Sequence, residues 1–554
     1  PDLRRALPGF SRTVKSARAS LTMSDLAYAS MTEWQQNIVR PFAGATGLPP
    51  GTVLFALALF ASLPLGFGFA AVPGAFLKNL YSLVTGVLLS YFAFGTSTVT
   101  CLYMGAASYA AMALSRQRCG YVVFVGSFGY LIRYHATSAS GESWKAGNID
   151  ITGLLMVLTL KVTACALNYM DAGKIRDEQK RNAHLKLVAV EKLPNILEYA
   201  GWLMFPCTLV VGPAIEFREY HDWLHRKGHY GSKDEATNTQ KRDPPGLVRR
   251  YARVLWLVLY SSVFAFVHLY VMRVYTIDNT YLDPTWNARP LWRKFWELHI
   301  LGQGSRGKYF FCWVWAEAAC VASGVGFGGY DVVTKKPKWD VAQNVKPMGV
   351  EKAATFVQIP HNWNVKTGMW LRHYVYDRAT PFGKRPGFTQ LLLTQVVSGV
   401  WHGLYAGYWL FFVSSAVFVH GSKGVYRWQR DHFPKRFSFI IDFPHWVLTT
   451  VGLNYLCGAF MLVTYDQCMS AWGSVYFLPH LTVLGMVIFS ETVGRDAARI
   501  EELWRLMMFN GYWRNGWGYE IYNEAVPHPL HAKSHSSKGD GLSHWTCCGS
   551  VEGG

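Results

Sequence analysis

The first residue whose type and position suggest chemistry is a histidine in the middle of an apolar segment. Residues 391–410 read LLLTQVVSGVWHGLYAGYWL and contain His402. On a helix, Gln395, Ser398, His402 and Tyr405 would share one face. A polar stripe in an apolar span faces the protein interior or a watery cavity, because ionisable groups are costly in lipid. The pattern favours a functional His402. The alternative is a packed histidine satisfied by a neighbouring hydroxyl, our interpretation of His268, His445 and His480.

A second segment, residues 357–378, reads VQIPHNWNVKTGMWLRHYVYDR and is both amphipathic and aromatic. A helix that begins near Pro360 would place Asn364 and Thr367 on one face. A structural helix at the membrane interface would explain the same periodicity, so the pattern leaves both interpretations open. His361 competes for any second histidine role.

A carboxylate inside an apolar run is the third candidate. Glu317 lies within residues 309–325, which are otherwise apolar. Carboxylates in the membrane are usually paired or functional. Glu317 is therefore either a site residue or one end of a hydrogen bond between helices.

Two common catalytic motifs can be set aside. The glycines from Gly324 to Gly329 match the dinucleotide-binding spacing GxGxxG, but they follow a membrane-type run and no strand–helix unit surrounds them. The sequence has no GxSxG motif, so a serine hydrolase has no nucleophile elbow.

The elements that must position these residues are membrane spans. The chain is 51% hydrophobic and only 16% charged, whereas soluble domains carry about 25% charged residues. Several apolar runs approach or reach the roughly 20 residues that cross a bilayer as a helix. The long runs are 52–72, 98–114, 151–169, 254–272, 309–325, 391–420, 439–463 and 472–488. Shorter candidates are 80–94, 121–131 and 199–215.

The domain prediction follows from these runs. Residues 1–50 form a flexible or interfacial lead-in, 51–490 a membrane domain, 491–526 an amphipathic segment on the membrane surface, and 527–554 a disordered tail. Basic loops on both sides of 199–215 and of 391–420 conflict with a simple crossing by either segment. A re-entrant or broken segment would resolve this conflict. Pro206, Gly212 and Pro213 could interrupt the first segment, and Gly403 and Gly407 could permit a break in the second.

The net charge of +19 is concentrated between the apolar runs, above all in residues 331–386. Positive loops stay on the cytoplasmic side, and this orientation alone accounts for the charge. The functional interpretation is attraction of a polyanionic substrate such as coenzyme A. Nucleic acid is not expected as a partner, because the basic residues border membrane spans. The candidates for binding phosphate are Lys335, Lys336, Lys338, Lys384 and Arg385.

Taken together, these motifs resemble one family. The stretch Trp363–Thr367 (WNVKT), followed by WLRHYVY and then by WHGLY at 401–405, resembles the paired signature of the MBOAT (membrane-bound O-acyltransferase) family. GPAIEFREY at 212–220 and KWDVAQNV at 338–345 resemble the plant-type lysophosphatidylcholine acyltransferases of that family. The likeness extends over residues 76–430.

The resemblance implies an all-α polytopic protein with about eleven transmembrane helices around an intramembrane chamber. It implies transfer of an acyl group from acyl-CoA to a lysophospholipid hydroxyl at the endoplasmic reticulum membrane. It assigns the catalytic base to His402 and an orienting or oxyanion role to Asn364. Acyl-CoA is a substrate, so neither a cofactor nor a metal is expected. The accompanying substrate-binding candidates are Trp363, Thr367, Glu317, Trp401, Ser398 and Tyr405.

Alternative activities remain open at this point. Within the family they are acylation of diacylglycerol, of a sterol or of a protein. Outside it, the alternative is a membrane transporter without enzymatic activity. The Trp-His-Gly element at 401–403 and KWDVAQNV favour the lysophospholipid group. Head-group preference, acyl-chain preference and oligomeric state are left open.

Overall fold

The structure is a computed structural model that describes residues 31–137, 149–175, 182–230, 245–331, 333–381, 384, 386–432 and 438–492. Across these ranges the regular structure is helical, apart from one isolated antiparallel bridge between Tyr330 and Pro337. The prediction of an all-α fold is confirmed. The predicted surface segment beyond Thr492 and the predicted tail lie outside the described residues.

The α-helices are numbered here in chain order. They are α1 Glu33–Thr46, α2 Pro50–Ala71, α3 Ala75–Phe94, α4 Thr98–Leu114, α5 Cys119–Thr137, α6 Thr152–Lys174, α7 Ala183–Val188, α8 Ile196–Leu203, α9 Pro206–Leu209, α10 Phe217–Leu224, α11 Leu247–Val274, α12 Leu291–Ser323, α13 Pro347–Glu351, α14 Ile359–Asn362, α15 Val365–Leu371, α16 Phe388–His402, α17 Ala406–His432, α18 Phe439–Leu462, α19 Tyr465–Gly473 and α20 Leu478–Thr492. A π-helical turn, Arg372–Tyr376, follows α15 directly.

Four helical stretches of the described residues are long and apolar enough to cross a membrane. They are Pro50–Ala71, Ala75–Leu114, Thr152–Lys174 and Val248–Val274. The bent pair α19 and α20 would make a fifth. Other long helices, such as α12, contain buried charged residues and fall outside this group. The count of about eleven spans therefore stays a prediction.

Helix α6 lies at the centre of the fold. Almost all of its residues are buried, including the ammonium-bearing side chain of Lys161. Lys161 Nζ donates to the backbone carbonyls of Trp202 at 2.6 Å and Leu203 at 3.1 Å, where α8 ends. Helix α2 packs closely on α12 at Gly66, where a Cβ atom would lie 2.5 Å from the carbonyl oxygen of Ala319. Small residues and satisfied polar groups thus allow the spans to pack tightly.

The predicted break in residues 199–215 is present. Helix α8 ends at Leu203, and the short helix α9 begins at Pro206. Proline has no N–H to donate to the preceding turn, so carbonyls at the end of α8 need other donors. Lys161 supplies them, as described above. A buried lysine on one helix therefore stabilises an interruption in another.

The helix predicted over residues 391–420 is also broken. The break lies at Gly403, between α16 and α17. Gly407 is not part of that break, because it lies within α17 and packs closely against α18, where a Cβ atom would lie 2.2 Å from Ala459 O.

The prediction that residues 472–488 form one continuous span is wrong in detail. These residues are divided between α19 and α20, which meet at 79°. Pro479 lies in the first turn of α20, and its ring is incompatible with an uninterrupted helix through that position. Tyr476 and Phe477 adopt positive φ angles of 56° and 53° in the turn.

Part of the predicted lead-in is helical. In α1, Trp34, Ile38 and Phe42 are exposed at intervals of four residues and form an apolar stripe. Gln35, which is buried beside this stripe, donates to the backbone carbonyl of Phe92 in α3 at 2.8 Å and so ties α1 to the membrane domain. This arrangement suits an interfacial helix, and the membrane-surface role stays a prediction.

Candidate active site

His402 is the last residue of α16 and lies where the helix is interrupted. Gly403 follows with φ 134°, a conformation that favours glycine. The imidazole is half-buried. Its ring centroid lies 4.6 Å from the rings of Trp401 and Phe412 and 5.4 Å from that of Phe460. The break therefore places the histidine at a helix end, in an aromatic enclosure.

One hydrogen bond fixes the tautomer of His402. Its Nδ1 atom lies 2.8 Å from the backbone carbonyl oxygen of Ser398, one turn earlier in α16. A carbonyl oxygen only accepts, so Nδ1 carries the proton of the neutral ring. Nε2 is then the unprotonated nitrogen, which can accept a proton from a substrate hydroxyl. Ser398, which is buried, contributes its main chain to this bond.

Two neighbouring helices hold the end of α16 in place. The indole Nε1 of Trp401 donates to the carbonyl oxygen of Met156 in α6 at 2.9 Å. Nε2 of His135 in α5 lies 3.0 Å from the carbonyl oxygen of Trp401. The Trp401 indole N–H is therefore engaged by the protein. Sequence reasoning missed His135, and no motif around it pointed to this contact.

The prediction of one helix from near Pro360 through Asn364 and Thr367 is wrong, because the helix ends at Asn362 and a new one begins at Val365. Asn364 lies between α14 and α15 in the left-handed conformation, with φ 45° and ψ 52°. Asparagine tolerates this region better than most residues. Its side-chain oxygen accepts a hydrogen bond from Asn344 Nδ2 at 3.1 Å. The NH₂ group of Asn364 has no hydrogen-bond partner among the described residues, so it remains available to a ligand.

Asn344 is a positioning residue that sequence reasoning did not single out, although it lies in the KWDVAQNV motif. Besides contacting Asn364, its side-chain oxygen accepts from the N–H of Lys366 at 3.0 Å, and its backbone carbonyl accepts from the N–H of Val365 at 2.8 Å. Two of these bonds satisfy amides in the first turn of α15. Buried Asn344 thereby fixes both the start of that helix and the Asn364 side chain.

Trp363 and Thr367 flank Asn364 in different surroundings. The Trp363 ring packs edge-on against three rings of α12, those of Tyr309, Phe310 and Trp313, with centroids 5.0–5.7 Å away. Thr367 is buried in α15, one turn after Asn364. His361 lies outside this cluster and is exposed.

The two motif segments meet in the same part of the fold. Helix α15 leads into the π turn, and this turn contacts α16, which ends at His402. Trp363 and Trp401 also pack into one hydrophobic core cluster. That Asn364 and His402 line one internal cavity stays a prediction.

A polar network anchors the π turn that joins the motifs. The buried hydroxyl of Tyr374 donates to Glu216 Oε1 at 2.9 Å and accepts from Asn168 Nδ2 at 2.8 Å. His184 Nε2 lies 3.3 Å from the same hydroxyl. Glu216 belongs to the GPAIEFREY motif, and Asn168 is on α6. The network explains why motifs far apart in sequence occur together.

Glu317 and Tyr405 have contacts of their own. The buried Glu317 carboxylate accepts from Arg253 Nη2 at 3.1 Å, which joins α12 to α11. This ion pair favours the structural interpretation of Glu317. The prediction that Tyr405 shares a helix face with Ser398 and His402 is wrong, because α16 ends at His402 and Tyr405 lies half-buried in the interruption before α17. Its ring centroid lies 5.7 Å from that of Tyr408.

The basic candidates lie on exposed loops. Lys335, Lys336 and Lys338 are exposed around the bridge between Tyr330 and Pro337. Lys338 Nζ lies 3.8 Å from Asp340, so part of its charge is offset. Lys384 is also exposed, and Arg385 lies outside the described residues. Binding of phosphate by these residues stays a prediction.

Three side chains near α8 have the composition of a metal site. The ligand atoms of Glu198, His221 and His225 all lie within 4.8 Å of one another. Glu198 Oε1 already lies 2.8 Å from His225 Nε2, so hydrogen bonding also explains the cluster. The prediction of no metal is not tested by this geometry.

Comparison with known proteins identifies the family. The sequence model of the MBOAT, membrane-bound O-acyltransferase family, matches residues 138–463, which include the segments of Asn364 and His402. The chain belongs to the membrane-bound O-acyltransferase family. The predicted resemblance, the membrane location and the class of O-acyltransferases are confirmed. The transporter alternative is set aside.

Three relatives share one activity in their names. Lysophospholipid acyltransferase 1 of Arabidopsis thaliana is 38% identical over 461 residues, which cover 82% of this chain and 97% of the relative. Lysophospholipid acyltransferase 2 of the same plant is 36% identical over 455 residues, covering 81% and 95%. The lysophospholipid acyltransferase of Schizosaccharomyces pombe is 29% identical over 469 residues, covering 82% and 89%.

Proposed function

We propose that this MBOAT protein is a lysophospholipid acyltransferase of phospholipid remodelling, which moves a fatty acyl group from acyl-CoA to the free glycerol hydroxyl of a lysophospholipid. The observation that carries the chemistry is the His402 hydrogen bond to Ser398 O, which leaves Nε2 free to accept a proton. The relatives named above support the choice of acceptor.

The reaction needs one base and no covalent acyl-enzyme. His402 Nε2 takes the proton of the lysophospholipid hydroxyl as its oxygen attacks the thioester carbonyl. The tetrahedral intermediate collapses, the C–S bond breaks, and the coenzyme A thiolate leaves. The imidazolium then returns its proton to that thiolate, so the products are the phospholipid and free coenzyme A. General base catalysis of this kind contributes about 10²–10⁴-fold to the rate.

Asn364 is suited to stabilise the oxyanion. Its oxygen accepts from Asn344, which leaves its NH₂ group as the donor that a bound substrate could use. A preorganised donor is worth about 10²–10³-fold in kcat when it contacts the developing charge. The left-handed backbone of Asn364 fits this role, since unusual conformations cluster at functional sites.

The substrates would enter from different phases. Acyl-CoA carries phosphates and would approach from water, guided by the exposed Lys335, Lys336, Lys338 and Lys384. Arg385, the next residue in the sequence, belongs to the same proposal. The lysophospholipid would enter from the bilayer. The aromatic rings around His402 and Trp363 would exclude water, so that hydrolysis of the thioester does not compete. We place the enzyme in the endoplasmic reticulum membrane and expect lysophosphatidylcholine as the leading acceptor.

A substrate panel tests this proposal. Membranes that contain the protein are incubated with labelled oleoyl-CoA and, separately, with lysophosphatidylcholine, other lysophospholipids, diacylglycerol and a sterol. We expect labelled phosphatidylcholine in the largest amount and smaller amounts of other phospholipids. Membranes that lack the protein supply the background. Labelled triacylglycerol or sterol ester as the main product would overturn the choice of acceptor.

A further inference from the structure

A cavity lined by three cations lies away from the His402 site. Its volume is about 410 Å³, and its wall includes Lys78, Arg226, Arg250 and the Trp223 ring. We call it the cation cavity. It lies between the end of α2, the start of α3, the end of α10 and the start of α11. Its lining, as far as the described residues form it, contains no carboxylate.

The partners of these cations are neutral. Lys78 Nζ donates to the carbonyls of Phe69 at 2.7 Å and Ala70 at 3.2 Å, and it lies 4.8 Å from the centroid of the Trp223 ring. Arg250 Nε donates to the carbonyl of Pro245 at 2.8 Å.

Within the described part of the chain, no carboxylate forms an ion pair with Lys78, Arg226 or Arg250. Arg226 also adopts a positive φ of 53°, which is uncommon for a residue with a side chain.

Three like charges in a partly enclosed space repel one another, and the repulsion is stronger than in open water. An anion in the cavity would relieve it. A phosphate suits best, because its several oxygen atoms can accept charge-assisted hydrogen bonds from all three side chains.

The position of the cavity indicates where the phosphate comes from. Three of the apolar stretches long enough to cross a membrane end or begin at the cavity wall: Pro50–Ala71, Ala75–Leu114 and Val248–Val274. The cavity therefore lies at the level of the lipid head groups. Exposed apolar side chains neighbour two of the cavity's cations in the sequence. Phe76 and Leu77 precede Lys78, while Val248 and Tyr251 lie beside Arg250. On the spans of a membrane protein, such side chains contact acyl chains.

We propose that the cation cavity binds the phosphate of an anionic phospholipid of the surrounding membrane, whose acyl chains lie along the apolar faces of α3 and α11. This lipid would be distinct from the acceptor at His402, because the cavity wall includes none of the residues around that histidine. The shared chemistry is phosphate recognition, and coenzyme A is the soluble alternative source.

The test measures binding to the purified full-length protein in a neutral detergent. The unfolding midpoint is followed during titration with dioctanoyl phosphatidic acid, dioctanoyl phosphatidylcholine, coenzyme A or inorganic phosphate. A ligand that binds only the folded state raises the midpoint. We expect phosphatidic acid to raise it at the lowest concentration, and the effect to weaken with added salt.

Variants locate the binding. Arg226→Gln should weaken the affinity for phosphatidic acid about tenfold or more, the value of one charge-assisted hydrogen bond. Arg226→Gln combined with Arg250→Gln should abolish the shift. Lys227→Gln is the matched control, since Lys227 is adjacent and exposed but absent from the cavity wall. Because Arg226 is exposed, its single variant is expected to fold even if the double variant does not.

Two results would overturn the inference. One is an unchanged affinity for phosphatidic acid in Arg226→Gln. The other is a shift by coenzyme A or inorganic phosphate that equals the shift by phosphatidic acid and is lost in the same variant, because the ligand would then be a soluble phosphate. Neither result depends on acyl transfer, so the inference can fail while the proposed function holds.

Discussion

Asn344 should control the reaction through Asn364, although it is not itself placed to touch the substrate. Its Nδ2 holds the Asn364 side-chain oxygen at 3.1 Å, and its Oδ1 accepts from the Lys366 N–H at 3.0 Å. Asn344→Ala removes both bonds. Asn344→Asp keeps an acceptor for the Lys366 N–H but loses the donor to Asn364. The pair of variants therefore separates support of α15 from orientation of Asn364.

The magnitude follows from the bonds lost. An ordinary hydrogen bond contributes about 0.5–1.5 kcal/mol to the free energy of unfolding, and a buried amide left unsatisfied costs about 1–3 kcal/mol. Asn344→Ala should lower stability by about 1–4 kcal/mol. If a freed Asn364 loses about 1–3 kcal/mol of its interaction with the transition state, kcat falls about 5- to 150-fold. Asn344→Asp should lower kcat by a similar factor, although it keeps the acceptor for the Lys366 N–H.

The assay is the initial rate of phosphatidylcholine formation per folded enzyme, together with the unfolding midpoint. Asn362→Ala is the matched control, because the side-chain amide of Asn362 donates to the Gln358 carbonyl, one turn earlier, at 2.9 Å. This variant should retain most activity. In an Asn364→Ala background, the effect of Asn344→Asp on kcat should disappear. The reasoning is refuted if folded Asn344→Asp keeps the wild-type kcat, or if its loss persists without the Asn364 side chain.

Three further predictions concern other parts of the site. Gly403→Ala should lower kcat and lower the free energy of unfolding by about 1–3 kcal/mol. The reason is that φ 134° is strained for alanine and that the new Cβ would lie 3.4 Å from the Tyr408 ring. A normal rate together with a normal unfolding midpoint would contradict this. Glu317→Ala should lower the unfolding midpoint by removing the Arg253 pair, at about 1–3 kcal/mol because Arg253 is partly exposed. Its rate per folded enzyme should stay near wild type, and a large fall would make Glu317 a site residue. Changing Lys335, Lys336 and Lys338 together to Gln should raise KM for acyl-CoA with kcat nearly unchanged, an effect that added salt diminishes. Unchanged kinetics would leave these lysines only a role in topology.

The sequence was most informative where a residue acts locally. Gly403 and Pro206 each interrupt a helix through their own backbone properties, so both breaks could be predicted, although Gly407, Gly212 and Pro213 were equal candidates. The spacing of Ser398 and His402 is one helical turn, and it correctly placed them side by side. Pro479 was equally visible, but the uniform hydropathy around it led to a continuous run being predicted where the structure has two helices.

The rest depends on contacts between distant parts of the chain. Asn344 and His135 contact Asn364 and Trp401 only because the fold brings these segments together, and the sequence around each gives no sign of which residue it contacts. Lys161 and Arg306 are buried charges whose cost is offset by partners on other helices. Such residues make the number of spans hard to count from hydropathy.

The claim that His402 is the base is tested most directly by one rate. Purified His402→Ala and wild-type protein are compared in the formation of phosphatidylcholine from oleoyl-CoA and lysophosphatidylcholine, per molecule of folded enzyme. His268→Ala is the matched control, since its Nδ1 also bonds to a backbone carbonyl, that of Gly304 at 2.7 Å. We predict that His402→Ala loses about 10²–10⁴-fold in rate with an almost unchanged unfolding midpoint, while His268→Ala stays active. A His402→Ala enzyme that keeps more than about a tenth of the wild-type rate would contradict the assignment.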